Sequence, residues 1–335
     1  ACRLNIGAGS VGAGRFVFGS GNGVFTGNIA PAQTVVLQAN NFTAANGFTN
    51  AGTLILDNAP GSSATNTLNV TTGTLLNTGL FIVGDTNLAS FKNINAHWTN
   101  QGRMEFRDSV TLTKASGVYS NSGELFIAPG QTLRFSGTSF LTNAEPGGIE
   151  GGGILAITSL TTFTAAGEIV ANVINEGRTR PGRTSGILNI TGEYSQTSSG
   201  ILDIEIAGTA PGSFDQINIS GSATLAGTLN AALSGGHCPA GDYPILTFAS
   251  RTGDFNTKNL NAGPGRTFTT VAGATSYTLH TNGPPCNTPA TAADDTYTTE
   301  AGVMLTVTPP GVLGNDADAE GDALTAVLVS GTSHG

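Results

Sequence analysis

A short phrase recurs through the first half of the chain, and it constrains the fold more than any other feature. In it, a large apolar residue stands two positions before an asparagine, and a glycine stands two positions after it. The four clearest copies contain Asn50, Asn77, Asn100 and Asn121, and looser copies contain Asn143 and Asn175. The first four asparagines are 27, 23 and 21 residues apart. Because Asn and Gly both tolerate left-handed backbone angles, each copy predicts a turn.

Each predicted turn is followed by two apolar residues with one residue, mostly polar, between them. These pairs are Leu54/Leu56, Phe81/Val83, Met104/Phe106 and Leu125/Ile127. Alternation with a period of two predicts a strand that buries one face. A repeat of about 20–25 residues with one such strand is typical of a solenoid, because one unit cannot bury its apolar face alone.

We therefore predict an all-β fold built around a parallel β-solenoid, with a ladder of asparagines at the turn. The predicted inward column consists of Leu54, Phe81, Met104 and Leu125. An antiparallel sandwich made of similar hairpins is the alternative interpretation. Between the turn phrases lie further short strand patterns, so two or three strands per coil are expected.

Composition agrees with an all-β chain. Glycine accounts for 48 of 335 residues, only 10% of residues are charged, and no stretch shows sustained 3.6-residue apolar spacing. Short strands joined by Gly and Asn turns explain this composition. The hydrophobic fraction of 39%, in regular alternation, argues against disorder.

Charge and hydropathy exclude two classes of partner. The formal net charge is −9, so we expect no nucleic-acid binding, which requires a basic surface. No apolar run reaches about 18 residues, so no membrane span is expected. The first residues lack the pattern of a signal peptide, which predicts either a removed signal or a fragment.

The second half of the chain carries a different series of phrases. They read Ile187-Leu-Asn-Ile-Thr-Gly-Glu-Tyr-Ser-Gln196, Gly200-Ile-Leu-Asp-Ile-Glu-Ile-Ala-Gly208, Phe214-Asp-Gln-Ile-Asn-Ile-Ser-Gly221 and Ala223-Thr-Leu-Ala-Gly-Thr-Leu-Asn230. In this order they resemble the closing cassette of autotransporter-type and other large bacterial surface β-helix proteins, over about residues 120–260. The resemblance implies secretion and a role at the bacterial cell surface. It implies no particular chemistry.

Residues 281–293 form a Pro-rich stretch, which predicts a stiff linker, and a third kind of sequence pattern follows it. Beyond it come Ala293-Asp-Asp-Thr-Tyr297, Gly311-Val-Leu-Gly-Asn-Asp-Ala-Asp-Ala-Glu-Gly-Asp322 and Leu324-Thr-Ala-Val-Leu-Val-Ser-Gly331. These resemble the opening of a bacterial Ig-like, cadherin-like repeat, a domain that occurs in tandem on adhesins. About half of one such domain is present, so we expect either that the remainder has been cleaved or lies outside this sequence, or that its strands pair elsewhere.

The predicted domain boundaries follow from these changes in sequence pattern. They are solenoid repeats at 1–185, with an atypical Gly-rich first coil at 1–30, a closing β cassette at 186–280, the linker at 281–293, and the partial Ig-like segment at 294–335.

Two candidate sites stand out in the second half. Carboxylates at alternate positions before a Gly turn suit Ca²⁺, which prefers hard oxygen ligands. The candidate ligands are Asp295, Asp316, Asp318, Glu320 and Asp322. The distal Glu of an EF-hand is lacking, and a solvated acidic loop is the alternative.

The chain has three cysteines. Cys238 and Cys286 lie in turns on either side of one β segment, which predicts a structural disulfide in an oxidising compartment. Cys2 would then be available to a neighbouring subunit. Three unpaired thiols are the alternative interpretation.

No catalytic constellation is evident, and we expect no enzymatic activity. Several β-helix enzymes cleave polysaccharides with clustered carboxylates or a basic residue on one face. In this chain, one outward face could be lined by the charged residues Glu105, Asp108, Glu124, Arg103 and Arg107. Outward positions must be polar in any case, so a solvated surface explains them more simply. Three or more carboxylates in one groove would favour the enzyme.

The function expected from sequence is that of a secreted structural protein, the subunit of an extracellular filament. Its partner would be another copy, through terminal strands or the exposed ends of the solenoid. One alternative is a monomeric adhesin stalk that displays Ig-like domains toward surface polysaccharide or other cells. The second is a polysaccharide-active enzyme.

Overall fold

The computed structural model describes residues 2–19, 21–38, 40–62, 64–84, 91–235, 241–283, 287, 289–319 and 321–331. Contacts divide the chain into two compact units, Ala1–Asn282 and Gly283–Gly335.

The first unit consists of short strands joined by tight turns. In chain order they are β1 (Cys2–Asn5), β2 (Gly14–Phe18), β3 (Asn22–Thr26), β4 (Gln33–Leu37), β5 (Asn41–Ala44), β6 (Phe48–Asn50), β7 (Thr53–Leu56), β8 (Asn66–Asn77), β9 (Leu80–Val83), β10 (Lys92–Asn100), β11 (Arg103–Phe106), β12 (Val110–Leu112), β13 (Gly117–Asn121), β14 (Glu124–Ile127), β15 (Thr132–Phe135), β16 (Ser139–Asn143), β17 (Gly148–Glu150), β18 (Ile154–Ile157), β19 (Thr161–Ala165), β20 (Gly167–Ile169), β21 (Asn172–Asn175), β22 (Arg178–Pro181), β23 (Ile187–Ile190), β24 (Tyr194–Gln196), β25 (Ile201–Ile206), β26 (Gln216–Ile219), β27 (Ser222–Leu225), β28 (Thr228–Leu233), β29 (Asp242–Thr247), β30 (Ser250–Gly253), β31 (Thr257–Asn261), β32 (Thr267–Ala272) and β33 (Ser276–Asn282).

The strands pair across successive turns of the chain rather than as hairpins. From β12 to β28 each strand pairs in parallel with the strand three places further on, so every turn contributes three strands. Two join a 20-stranded sheet and the third joins a 13-stranded sheet. A parallel pair needs a crossover, and the other two strands of the turn supply it. The predicted all-β class with parallel strands is confirmed, and this pairing is not that of an antiparallel sandwich.

The core runs along the inside of the stacked turns. Leu54 pairs with Phe81, Phe81 with Met104, and Met104 with Leu125, each directly in register. All four side chains are buried. The column continues through Ile149, so one apolar residue per turn stacks on the next. Burial of these columns, not local helix or hairpin propensity, stabilises the stack.

The two sheets end differently. The 13-stranded sheet ends in the antiparallel hairpin β32–β33, whose second strand pairs with β29. In the 20-stranded sheet, β30 pairs only with β27 and β31 only with β28, within the described part of the chain. At the other end, β1 pairs with β3 and β2 pairs with β4. Parallel strand edges therefore occur at both ends of the unit.

The second unit contains little regular secondary structure among its described residues. Its described residues form a 3₁₀ helix at Gly311–Leu313 and an antiparallel bridge between Thr291 and Ala317, with no strand. Large apolar side chains are exposed along it: Val303, Met304, Leu305, Val307, Val327, Leu328 and Val329. The Ig-like interpretation of this segment stays a prediction.

Candidate functional site

The asparagines of the recurring phrase form a continuous hydrogen-bonded ladder inside the first unit. Each Nδ2 donates to the Oδ1 of the next turn: Asn50 to Asn77, Asn77 to Asn100 and Asn100 to Asn121 at 2.7 Å, and Asn121 to Asn143 at 2.6 Å. Each of the first four Nδ2 groups also donates to a backbone carbonyl oxygen, as Asn100 does to Glu124 at 3.0 Å. All five side chains are buried. The ladder thus places amide groups in an otherwise apolar core and satisfies their donors.

The glycines of the phrase have a different role from the predicted one. Gly52, Gly79, Gly102 and Gly123 do not adopt left-handed backbone angles. Instead, a Cβ atom on Gly79, Gly102 or Gly123 would collide with a carbonyl oxygen of the preceding turn. Glycine is required here because consecutive turns approach each other closely.

Asn175, a looser copy of the phrase, does not belong to the ladder. Asn143 pairs in register with Ala165, so the ladder ends there. Asn175 lies in a different column, where it pairs with Gln196 and donates to the Tyr194 hydroxyl at 3.1 Å. Local sequence similarity was therefore misleading at this position, because Asn175 lies on β21, which pairs with β18 and β24 and not with the strands that carry the ladder.

Charged side chains form a network on the outer face of the 13-stranded sheet. Arg103 lies at its centre and pairs with Glu105 at 2.6 Å, with Glu150 at 2.9 Å, and with Glu124. Arg107 pairs with Glu105 at 2.7 Å. Burial acts to raise the pKa of Glu105, but the two guanidinium groups hold it below its usual value. Arginine pairs with each of these carboxylates, but Glu150 also lies beside Glu124, which raises the pKa of Glu150.

Asp108 was predicted on this face and that prediction is wrong. Its side chain points inward, where Oδ2 lies 3.1 Å from Nζ of the fully buried Lys92. The reason is the buried ammonium, which requires an opposite charge.

A pocket of about 340 Å³ lies where the loop before β26 folds over β25. Three carboxylate residues line it: Asp203, Glu205 and Asp215. Arg180 and Arg183 line it as well, which makes its wall both acidic and basic.

The carboxylates of this pocket already have partners. Asp203 accepts from Arg178 at 2.5 Å, from Arg180 at 2.8 Å and from Asn230 at 2.8 Å. Burial acts to raise the pKa of Asp203, but Asn230 and the two arginines hold it below its usual value.

Asp215 is held by the backbone. One of its carboxylate oxygens accepts from the Gly186 N–H at 2.7 Å, and the other from the Glu205 N–H at 2.8 Å. Burial raises the pKa of Asp215 to about 7, although both hydrogen bonds oppose the rise. This residue fastens the loop to β25 and to the chain before β23.

Of the predicted calcium ligands, Asp316, Asp318 and Asp322 line one pocket in the second unit, and Asp295 is not among its lining residues. Asp316 accepts from the Ala293 N–H at 2.8 Å, Asp318 from the Asp322 N–H at 3.0 Å, and Asp295 from the Tyr297 hydroxyl at 3.1 Å. Within the described ranges, no three His, Cys, Asp or Glu side chains are arranged to hold a metal ion.

Other predictions fall outside the described residues. Cys238, Cys286 and Glu320 lie there. The disulfide therefore stays a prediction. Cys2 begins β1.

Comparison with protein-family models and with curated proteins gave no match. Among the residues that the structure describes, no helix is long and apolar enough to cross a membrane.

Sequence reasoning missed several buried ionisable residues, among them Asp57, Lys92 and Asp215. Lys92 precedes Ile94, Ala96 and Trp98 in strict alternation, and all four are buried. The alternation alone indicated an inward lysine. Asp215 had no such signal, because its role depends on a loop fold that the sequence does not reveal.

Proposed function

We propose that the chain is a β-solenoid structural protein of the bacterial cell surface, the subunit of an extracellular filament assembled by strand pairing between copies. The observation that carries this proposal is the pair of strand edges at the two ends of the 20-stranded sheet. There β1 has β3 as its partner, while β30 and β31 have one strand partner each in the described chain. All of these pairs are parallel, so a second copy can add in the same direction. Head-to-tail contact that does not close on itself produces an open filament.

The second unit offers a further surface for pairing between copies. Met304 is 85% exposed, Leu328 84% and Val329 95%. An added strand gains main-chain hydrogen bonds, and alternate apolar side chains supply specificity. Covering these residues with a strand of another copy would bury apolar area that is now in water.

Electron microscopy of the purified protein tests the proposal. We expect filaments of uniform width, lost when residues 294–335 or residues 1–30 are deleted. Val327→Asp with Val329→Asp should weaken assembly without deletion, whereas Leu160→Asp, at a residue that is 62% exposed and lies outside both terminal segments, serves as the control. If both deletions leave the fibres unchanged, terminal strand exchange is not the mechanism. A protein that stays monomeric at high concentration would instead be the stalk of an adhesin.

The pocket beside β25 favours a second candidate, a polysaccharide-active enzyme, because three carboxylate residues line it. Asp203 is bound by two arginines and Asp215 by two backbone N–H groups, so both are occupied as acceptors. We therefore favour the structural role. Release of reducing ends from acidic and neutral polysaccharides, lost in Asp203→Asn and retained in Asp254→Asn, would reverse this preference.

Calcium binding by the acidic segment is part of the proposal. Asp316, Asp318 and Asp322 line one pocket of about 450 Å³ in the second unit. Hard carboxylate oxygens around it suit Ca²⁺. Calorimetric titration of the full chain with calcium chloride should show binding that Asp318→Asn removes and Asp294→Asn leaves intact. Equal heats for the three proteins would contradict it.

A further inference from the structure

A lysine is enclosed among three successive turns of the first unit. Lys92 is 0% exposed and begins β10, where its neighbours in register are Asn66 and Val110. Polar residues from two loops surround it. Asn58 is 1% exposed and follows β7, and Asp108 is 8% exposed and follows β11. A primary amine is therefore held away from water beside a carboxamide and a carboxyl group.

The distances place the amine against both groups. Nζ of Lys92 lies 3.0 Å from Oδ1 of Asn58 and 3.1 Å from Oδ2 of Asp108. The amide of Asn58 is oriented by its own Nδ2, which donates to the Ser62 carbonyl at 2.8 Å. The carbonyl side of Asn58 consequently faces the lysine.

Asp108 lies where it can accept the proton that Lys92 must lose before it can act as a nucleophile. An isolated ion in a low-dielectric interior is costly, and transfer of one proton from Lys92 to Asp108 leaves two neutral groups. Burial raises the pKa of the Asp108 carboxyl, Lys92 opposes that rise, and the negative charge of Asp57 adds to it. A neutral, desolvated lysine is a nucleophile.

We propose that Lys92 and Asn58 join in an intramolecular isopeptide bond, with Asp108 as the proton shuttle. The lone pair of Lys92 Nζ attacks Cγ of Asn58, and the Nζ–Cγ bond forms. Asp108 takes a proton from Nζ and delivers one to Nδ2 of Asn58. The Cγ–Nδ2 bond then breaks and ammonia leaves. No oxidant or further reactant is needed, and Asp108 is regenerated.

The bond would covalently link turns that are otherwise held together by parallel strand pairing and core packing. Asn58 and Lys92 are 34 residues apart, so the link closes a loop that contains the whole intervening turn. In a stacked repeat each turn contacts only its neighbours, and unravelling can proceed turn by turn. A covalent link across one turn stops that process at this place. It would also make this region resistant to heat and denaturant.

Intact mass of the full, denatured chain is the primary test, and it needs no variant. We expect a mass lower than that of the sequence by one ammonia molecule. Trypsin gives an independent readout, because no Lys or Arg lies between Arg15 and Lys92, or between Lys92 and Arg103. The linked protein should yield residues 16–103 as one species, since an acylated Lys92 is not cleaved. The unmodified protein yields residues 16–92 and 93–103 separately.

Variants identify the partners. Lys92→Met and Asn58→Ala should restore the full mass, and Asp108→Asn should do so while circular dichroism shows the β fold retained. Lys114→Met is the matched control: Lys114 donates to the Val70 and Thr71 carbonyls and should keep the link in place. Full mass in the wild-type protein overturns the proposal. So does loss of water instead of ammonia, which would make a carboxylate the acceptor, and so does ammonia loss that persists in Lys92→Met.

Discussion

Asn100 donates its side-chain amide to Asn121 at 2.7 Å and accepts from Asn77 at the same distance. Asn100 is 0% exposed. The three inner amides of the column, Asn77, Asn100 and Asn121, thus act as both donor and acceptor along the direction in which the turns stack. Such a chain of hydrogen bonds fixes the register of successive turns, because a shift by one residue would leave buried amides unpaired.

Replacing Asn100 by alanine should lower the free energy of unfolding by roughly 2–4 kcal/mol. The substitution leaves Asn121 without its donor and Asn77 without its side-chain acceptor, and each buried group left unpaired costs about 1–3 kcal/mol. Urea unfolding followed by circular dichroism measures this change.

Asn95→Ala is the matched control for the ladder. Asn95 donates to Asn69 at 3.0 Å, also between successive turns, but on the half-exposed outer face of the same strand. Its loss should change the free energy by less than about 0.5 kcal/mol. Equal effects of Asn95→Ala and Asn100→Ala would mean that burial of the ladder contributes nothing.

Much of the first unit could be predicted from its sequence, because inward and outward residues alternate at a fixed spacing from a recurring turn. Leu54, Phe81, Met104 and Leu125 share one register for this reason. Asn175 shows where the method fails: it has the same local phrase but lies in another column, since its strand, β21, pairs with β18 and β24 and not with the ladder strands. Periodicity predicts which face of a strand a residue occupies. It does not predict the strand register that follows an irregular turn.

Phe81→Ala should destabilise the first unit by about 3–5 kcal/mol, the range for removing a buried aromatic side chain. Phe81 is 0% exposed between Leu54 and Met104. Phe140→Ala, at a residue 49% exposed, should have a much smaller effect on the midpoint of urea unfolding. If the two variants unfold at the same urea concentration, the inward column does not hold the stack together.

The stability of the first unit should fall as pH rises from about 4 to about 7, through Asp215. Burial raises the pKa of this carboxyl from 3.8 to about 7. In that window the unfolded chain releases the proton and the folded chain keeps it, so unfolding becomes more favourable with pH. At about 1.4 kcal/mol per pKa unit, the loss approaches 4 kcal/mol at most.

Asp215→Asn should remove this part of the pH dependence, measured as unfolding free energy at several pH values. Asp254→Asn is the control with opposite sign. Burial acts to raise the pKa of Asp254, but Lys258 and Tyr277 hold it below its usual value, so its contribution is lost as pH falls. An unchanged slope in Asp215→Asn would contradict the assignment.

The candidate sites were less predictable than the fold, because they depend on side chains brought together from different turns. Lys92 meets Asn58 and Asp108 only once two loops have folded over the strand ends. Asp203 meets Arg178 and Arg180 because β22 and β25 pair. The register in which the strands pair cannot be read from the sequence, and it decides both contacts.

Sedimentation velocity of the full chain over a wide concentration range, with electron microscopy of the same samples, tests the central claim most directly. A subunit that pairs strands across its two ends should form species that grow with concentration and appear as unbranched filaments of constant width. A single monomeric species at every concentration, with no filament on the grid, would contradict the filament proposal.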